Sequence, residues 1–202
     1  MPGPTSSRDT APVQPPGEAP VPARRSPRAW IILLTAVLLG LAADLASKEW
    51  AFAALIDRPH RPVILISDLL DLELRTNPGI VFGLDMPRLL VTAATLLAMC
   101  TVLLIFASSP AKRWGLHLGL GMVLAGSLGN AYDRAFSFVR FPGEAEAHVG
   151  EVRDFIHLHL GKLLDWPVFN IADALLVVGV GLIMLYVLRN PDGHKRTRQH
   201  AG

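Results

Sequence analysis

The sequence predicts an all-α membrane protein, four transmembrane helices carrying a small extracytoplasmic subdomain of β or extended chain. Three observations predict it. Hydrophobic residues make up 51% of the 202 residues and charged residues only 18%, an imbalance that points to lipid rather than to a water-facing surface. Leu89 to Ala107 is a run of nineteen uncharged residues, close to the roughly 20 that cross about 30 Å of hydrocarbon. Lys and Arg sit between the apolar runs rather than along one polar face, and the net charge is only +2, so nucleic acid is excluded as a partner.

Residues 1–28 hold eight of the sixteen prolines and end in Arg24, Arg25 and Arg28. Such a segment cannot build a core, and a disordered, Pro-rich cytoplasmic tail is expected. A membrane domain follows at 29–189, with spans at about 29–48, 89–107, 114–133 and 168–188 and a basic cytoplasmic tail at 190–202. The first span begins in the apolar run from Trp30 and continues through Asp44 and Lys48. A cleavable signal peptide over 24–43 is the rival reading of that stretch. The third span is Gly-rich, with Gly115 and Gly119, then Gly121, Ala125 and Gly129, at a small-xxx-small spacing that lets helices approach closely. Ten of the nineteen Lys and Arg fall in the N-terminal tail, the link Lys112-Arg113 and the C-terminal stretch that begins at Arg189, which places both termini and that link in the cytoplasm. Trp30 and Trp114 then mark the inner interface, Trp50 and Trp166 the outer.

Between the first two spans, alternation through Leu70-Asp71-Leu72-Glu73-Leu74-Arg75 predicts a short strand pair or ribbon over residues 63–75. Asn77-Pro78-Gly79 is a turn signal.

Counting inward at about 1.5 Å per residue brings three polar pairs to one depth near the outer face. These are Asp44 with Lys48, Asn130 with Asp133, and Asn170 with Asp173. Each pair, spaced three or four apart, shares one helix face. A charge inside the bilayer costs at least about 2.5–3.5 kcal/mol, so such groups are expected to face one another across a wet cavity. Asp44 and Lys48 read equally as a supporting pair and as an interfacial ion pair. Asp133 and Arg134 read as orienting the loop that follows. In that loop Asp154 precedes Phe155-Ile156, within reach of Asp173 from above.

Two carboxylates in one site do not both ionise freely; one stays protonated while the other acts as base. That arrangement suits amide hydrolysis through an activated water. A proton or cation pathway in a small transporter or channel subunit is the alternative use of the same aspartates. Other chemistries fit less well. Ser47 and Lys48 are adjacent and point to different helix faces. His157 and His159 form an H-x-H pair with no third ligand, so no metal is assigned. No phosphate-binding Gly loop is present, and no cofactor is expected. Cys100 follows Leu97-Ala98-Met99 but sits mid-span, so it marks no lipidation site on this chain.

Five blocks in order resemble the lipoprotein signal peptidases (signal peptidase II). They are Asp44-x-x-x-Lys48, Asn77-Pro78-Gly79 through Gly83, Gly129-Asn130-Ala-Tyr-Asp133-Arg134, Val152-Arg-Asp154-Phe155, and Phe169-Asn170-Ile-Ala-Asp173. The resemblance covers residues 30–188. It implies a catalytic pair, Asp154 and Asp173, with Asp44, Lys48, Asn77, Gly79, Asn130, Asp133, Arg134 and Asn170 binding substrate or supporting the site. It also implies a monomeric multi-pass enzyme of the bacterial inner (cytoplasmic) membrane, open to membrane lipid, with its active site on the outer face. Its substrates would be diacylglyceryl-modified prolipoproteins, cut N-terminal to the lipidated cysteine. The segment from Arg134 to Asp154 is longer than the family pattern, with Phe141–His148 as the extra material.

Overall fold

In the computed structural model, residues 20–59, 61–81, 84–160 and 164–190 are described. Among the described residues four α-helices carry the chain: α1 (Pro27–Leu55), α2 (Arg88–Ser108), α3 (Trp114–Phe136) and α4 (Ile171–Arg189). Between α1 and α2 lie β1 (Val63–Ile66), β2 (Leu70–Asn77), β3 (Ile80–Val81) and β4 (Leu84–Asp85). Between α3 and α4 lie β5 (Phe138–Val139), β6 (His148–Val149), β7 (Val152–Leu160) and β8 (Leu164–Asp165). Among the described residues three helices, α1, α2 and α4, are long and apolar enough to cross a membrane. Their outward faces are apolar: Leu34, Leu38, Leu97, Leu104, Val177 and Leu188 are all exposed on the surface of the bundle, the pattern of helices solvated by lipid rather than water.

α3 is more polar than the other three and sits among them. Its glycines bring the backbones together: a Cβ at Gly121 would lie 2.9 Å from the Leu33 carbonyl oxygen of α1, and one at Gly119 would lie 3.0 Å from the Gly179 carbonyl oxygen of α4. Side chains at Gly126 and Gly129 would strike Ala172 and Asp44. α1 and α3 therefore run in the same sense and α4 runs against both, which carries Asp44, Asn130 and Asp173 to the same end.

At that end β1, β2, β7 and β8 form one sheet in that order. Leu72, Leu74, Phe155, Val139 and Phe141 bury against Ala51 and Phe52 at the end of α1. That packing explains why α1 runs to Leu55, past the expected limit at 48. α4 begins at Ile171, not 168, because Asn170 is its cap: the Asn170 side chain accepts from the Asp173 amide (2.9 Å) and the Asp173 carboxylate accepts from the Asn170 amide (3.3 Å). This reciprocal capping box sets the first turn.

The N-terminal segment needs a correction. Residues 1–19, like 191–202 at the other end, lie outside the described residues, but 20–28 are not a structureless extension. Ala23 is fully buried and donates its amide to the Ser109 carbonyl at 2.7 Å, while the Ala111 amide donates to Val21 (2.8 Å). Pro22, with its preset extended backbone, and the small Ala23 let this strap lie against the α2–α3 connection. Ser26 then caps α1 by accepting from the Ala29 amide, with Pro27 in the first helical position.

Candidate active site

The ends of α1, α3 and α4 nearest the sheet and the strand β7 meet in one buried polar network. It begins with Asp44 and Lys48, one turn apart on α1 and both fully buried. The Lys48 ammonium lies 2.8 Å from Asp44 Oδ2, 3.0 Å from Asp133 Oδ2 and 3.2 Å from Asn130 Oδ1. The other Asp44 oxygen accepts from the Ala172 amide at 2.8 Å, so this carboxylate also takes up a free N–H in the first turn of α4.

Asn130 and Asn170 join the two halves of the site. Asn130 Nδ2 donates to Asp173 Oδ1 (2.8 Å), and its Oδ1 accepts from Asn170 Nδ2 (3.2 Å). Asn170 Nδ2 also donates to Asp154 Oδ1, at 2.6 Å. A relay Asp154–Asn170–Asn130–Asp173 thus connects the two carboxylates through two carboxamides. Asp154 is 3% exposed. Burial, and then the charge of Asp173, push its carboxyl up to about 8, against the opposing effect of the Asn170 hydrogen bond.

β7 carries Asp154 into place. Its register pairs Arg75 with Asp154 and Asn77 with Val152 on β2. Behind it, Asp133 accepts from the Arg153 amide through Oδ2 (3.0 Å) and from Arg153 Nε through Oδ1 (3.0 Å), and Arg153 Nη2 forms an ion pair with the same Oδ1 at 2.9 Å. Asp133 thus orients the strand that follows the inserted segment. Arg134 Nη1 donates to the Asn130 carbonyl at 3.3 Å, which turns its charge back toward the network.

The structure brings Asp44, Lys48, Asn130, Asp133, Asp154, Asn170 and Asp173 into one cluster. Asn77 and Gly79 lie at the end of β2. There the Asn77 side chain accepts from the Gly79 amide at 2.9 Å, and Gly79 has φ +133, a conformation few other residues adopt. His157 and His159 belong elsewhere: they bond Asp165 (2.7 Å) and Asp71 (3.0 Å) on the sheet.

Sequence reasoning missed Arg153 and the part β7 plays. The alternation of Val152-Arg-Asp-Phe-Ile-His-Leu-His-Leu160 was the available signal for the strand. Nothing in the sequence signals that Arg153 reaches back to Asp133.

A family model described as signal peptidase (SPase) II matches residues 36–189. A lipoprotein signal peptidase of Rhodococcus jostii is 35% identical over 198 residues, covering 95% of this chain and 90% of that protein. One from Methylocella silvestris is 36% identical over 164 residues (79% and 85%), and one from Aquifex aeolicus 31% over 165 residues (78% and 85%). Two solved bacterial membrane enzymes share the fold. One has a TM-score of 0.62 at 23% identity over 82% of this chain and 90% of its own; the other has 0.60 at 24% over 80% and 93%. With a family model spanning residues 36–189 and relatives matched over 85–90% of their own length, the chain belongs to the signal peptidase II family.

Proposed function

We propose that this chain is a membrane endopeptidase that removes the signal peptide from diacylglyceryl-modified prolipoproteins, cutting N-terminal to the lipidated cysteine with Asp154 and Asp173. Membership of the family makes it a protease, and its relatives bear the name lipoprotein signal peptidase. The observation that carries the aspartic mechanism is the relay Asp154–Asn170–Asn130–Asp173. It holds two carboxylates at one site in unlike surroundings, which is how acid and base roles are divided.

Asp154, with its carboxyl raised to about 8, keeps its proton at neutral pH. It donates a hydrogen bond to the scissile carbonyl and afterwards protonates the leaving amine. Asp173 takes the proton from the attacking water. The two asparagines hold the carboxyl groups in line, while the Asn77–Gly79 turn and Arg134 border the substrate path. No metal or cofactor is required by this chemistry.

The proposed topology has four spans and both termini in the cytoplasm. α3, 23 residues long, reaches about 35 Å at 1.5 Å per residue, and its polar and glycine positions face neighbouring helices instead of lipid. The sheet then lies on the outer face of the inner membrane, with the site open sideways so that an acylated substrate enters from the bilayer. The enzyme acts as a monomer.

A cleavage assay on a lipid-modified prolipoprotein with wild type, Asp154→Asn and Asp173→Asn tests the assignment. Each variant should lose at least about 10³-fold in rate, the scale for removing one member of a catalytic set. Near-normal cleavage by both would reject the pair. Proton flux without cleavage would favour the ion-conducting alternative.

A further inference from the structure

The ion pairs of the site form a continuous chain with informative ends. Arg153 grips Asp133 through its amide, Nε and Nη2. Asp133 meets Lys48 at 3.0 Å, Lys48 meets Asp44 at 2.8 Å, and Asp44 accepts from the Ala172 amide. Arg153 directly precedes Asp154, and Ala172 directly precedes Asp173. Alternating charges thus run from the backbone beside one aspartate to the backbone beside the other, tying β7, α3, α1 and the first turn of α4 together. The four charged side chains sum to zero.

From this we infer that Arg153 is a positioning residue for the proposed aspartate pair: it fixes the backbone beside Asp154 and closes the charge balance of the chain that also fixes Asp173. The inference rests on the assignment of Asp154 and Asp173. Arg153 suits the part for three reasons. Its planar guanidinium brings two nitrogens, Nε at 3.0 Å and Nη2 at 2.9 Å, to the one Asp133 oxygen its backbone amide leaves free, a contact that an ammonium with its single nitrogen does not reproduce. Its side chain is only 12% exposed, with Glu49 at 3.2 Å on its outer side and the Phe52 ring 5.9 Å from the guanidinium carbon. Successive side chains leave a strand on opposite sides, so anchoring Arg153 turns Asp154 away from it, toward Asn170. The structure therefore separates two duties on neighbouring residues, one holding the strand and the other facing the relay.

Removing the guanidinium has two consequences of different kind. The strand loses its anchor, so Asp154 is placed less well. The negative charge of Asp133 loses one of its two cations, and an uncompensated negative charge near Asp154 favours the protonated carboxyl. The first lowers the rate, and the second moves the alkaline limb of the pH profile upward, which a residue serving packing alone would not do.

The test uses the full-length protein in micelles with a synthetic diacylglyceryl lipopeptide, comparing wild type with Arg153→Met and Arg153→Lys. Arg153→Met should lower kcat by about 10- to 100-fold, the scale of a small misplacement of a reacting group, leave KM within about twofold, and shift the alkaline limb to higher pH. Arg153→Lys should return the limb to its wild-type position while kcat stays reduced, because charge is restored without the fork. Wild-type kcat and limb in both variants would overturn the inference. So would a loss of kcat that only follows the unfolded fraction seen in thermal melts, with the limb unmoved. Asp154→Asn and Asp173→Asn run alongside separate the two failures. If they still cleave, the assignment of the pair falls; if they are inactive while the Arg153 variants behave as wild type, only the positioning role falls.

Discussion

Two sets of ion pairs tie the sheet-bearing half of the molecule together at the same distances and in opposite environments. In the chain through Lys48 the contacts are 2.8 and 3.0 Å and both partners of each are wholly buried. In the cluster on the inserted segment, His148 meets Glu144 at 2.8 Å and Glu151 at 3.0 Å, with the imidazole 32% and Glu144 35% exposed. Length does not separate them; surroundings do. A pair in water gains about 0–1 kcal/mol, because solvent already satisfies both charges. A buried pair is a poor net stabiliser, yet breaking it strands a charge. The helix junction is therefore intolerant of change at any one member, whereas the inserted segment is held by contacts that conditions can loosen.

The sharpest way to break this contrast is Lys48→Met, which matches the aliphatic length and deletes the charge shared by Asp44 and Asp133. Breaking a buried pair costs about 3–5 kcal/mol, and thermal unfolding in micelles should show a loss of that order together with loss of cleavage. Adding Asp44→Asn to Lys48→Met should recover part of the stability, since coupled neighbours are not additive. A loss below about 1 kcal/mol for Lys48→Met would place this chain with the surface pairs.

Asp154 sharpens the comparison from within the buried set, because its carboxyl meets the Asn170 carboxamide where Asp44 and Asp133 meet cations. Its folded carboxyl, at about 8, lies above the ordinary 3.8, so the folded state holds this proton more tightly than the unfolded chain does. The resulting stability is complete below about pH 4 and declines as pH rises to about 8. Asp154→Asn keeps an acceptor for Asn170 without needing a proton. At pH 8–9 it should raise the unfolding midpoint by at least about 2–4 °C, the shift produced by about 1 kcal/mol in a domain of this size. The difference should vanish near pH 4 while activity stays lost. An equal midpoint at both ends of the range would mean that Asp154 is not held protonated.

Helices made much of this legible in the sequence. A fixed rise per residue converts position into depth, so Asp44, Lys48, Asn130, Asp133, Asn170 and Asp173 were brought to one level by counting alone, and the structure joins all six directly. The hairpin around residues 63–75 was legible from its alternation. Asp154 could be assigned only by the family motif, because its place depends on register between β7 and a strand some eighty positions earlier, and periodicity carries no register between distant strands. Arg153 stayed hidden for the same reason: its partner on α3 precedes the insertion. The ordered strap at residues 20–26 was missed because its composition reads as disorder, while its order comes from contacts with Ser109 and Ala111 on the α2–α3 connection.

The smallest expected effect lies on the exposed side of the comparison. His148 joins three segments: its Nε2 faces Glu144 in the insertion, and its Nδ1 faces Glu151 ahead of β7 and the Thr76 hydroxyl on β2 (3.0 Å). The Phe141 ring packs edge-on at 5.4 Å. The Glu144 hydrogen bond, with help from Glu151, raises the imidazole above its ordinary 6.5 against a lesser effect of burial. A base bound more tightly to its proton when folded contributes stability fully below 6.5, and loses it as pH rises through the folded value. His148→Gln keeps a hydrogen bond to Thr76 but no titratable charge. At pH 5.5 it should lower stability by about 1 kcal/mol or less, and at pH 9 it should match wild type. Prolipoprotein cleavage should not change at either pH, because His148 touches no member of the relay. A stability gap equal at both pH values would show that packing of the imidazole, rather than its charge, holds the insertion to the sheet.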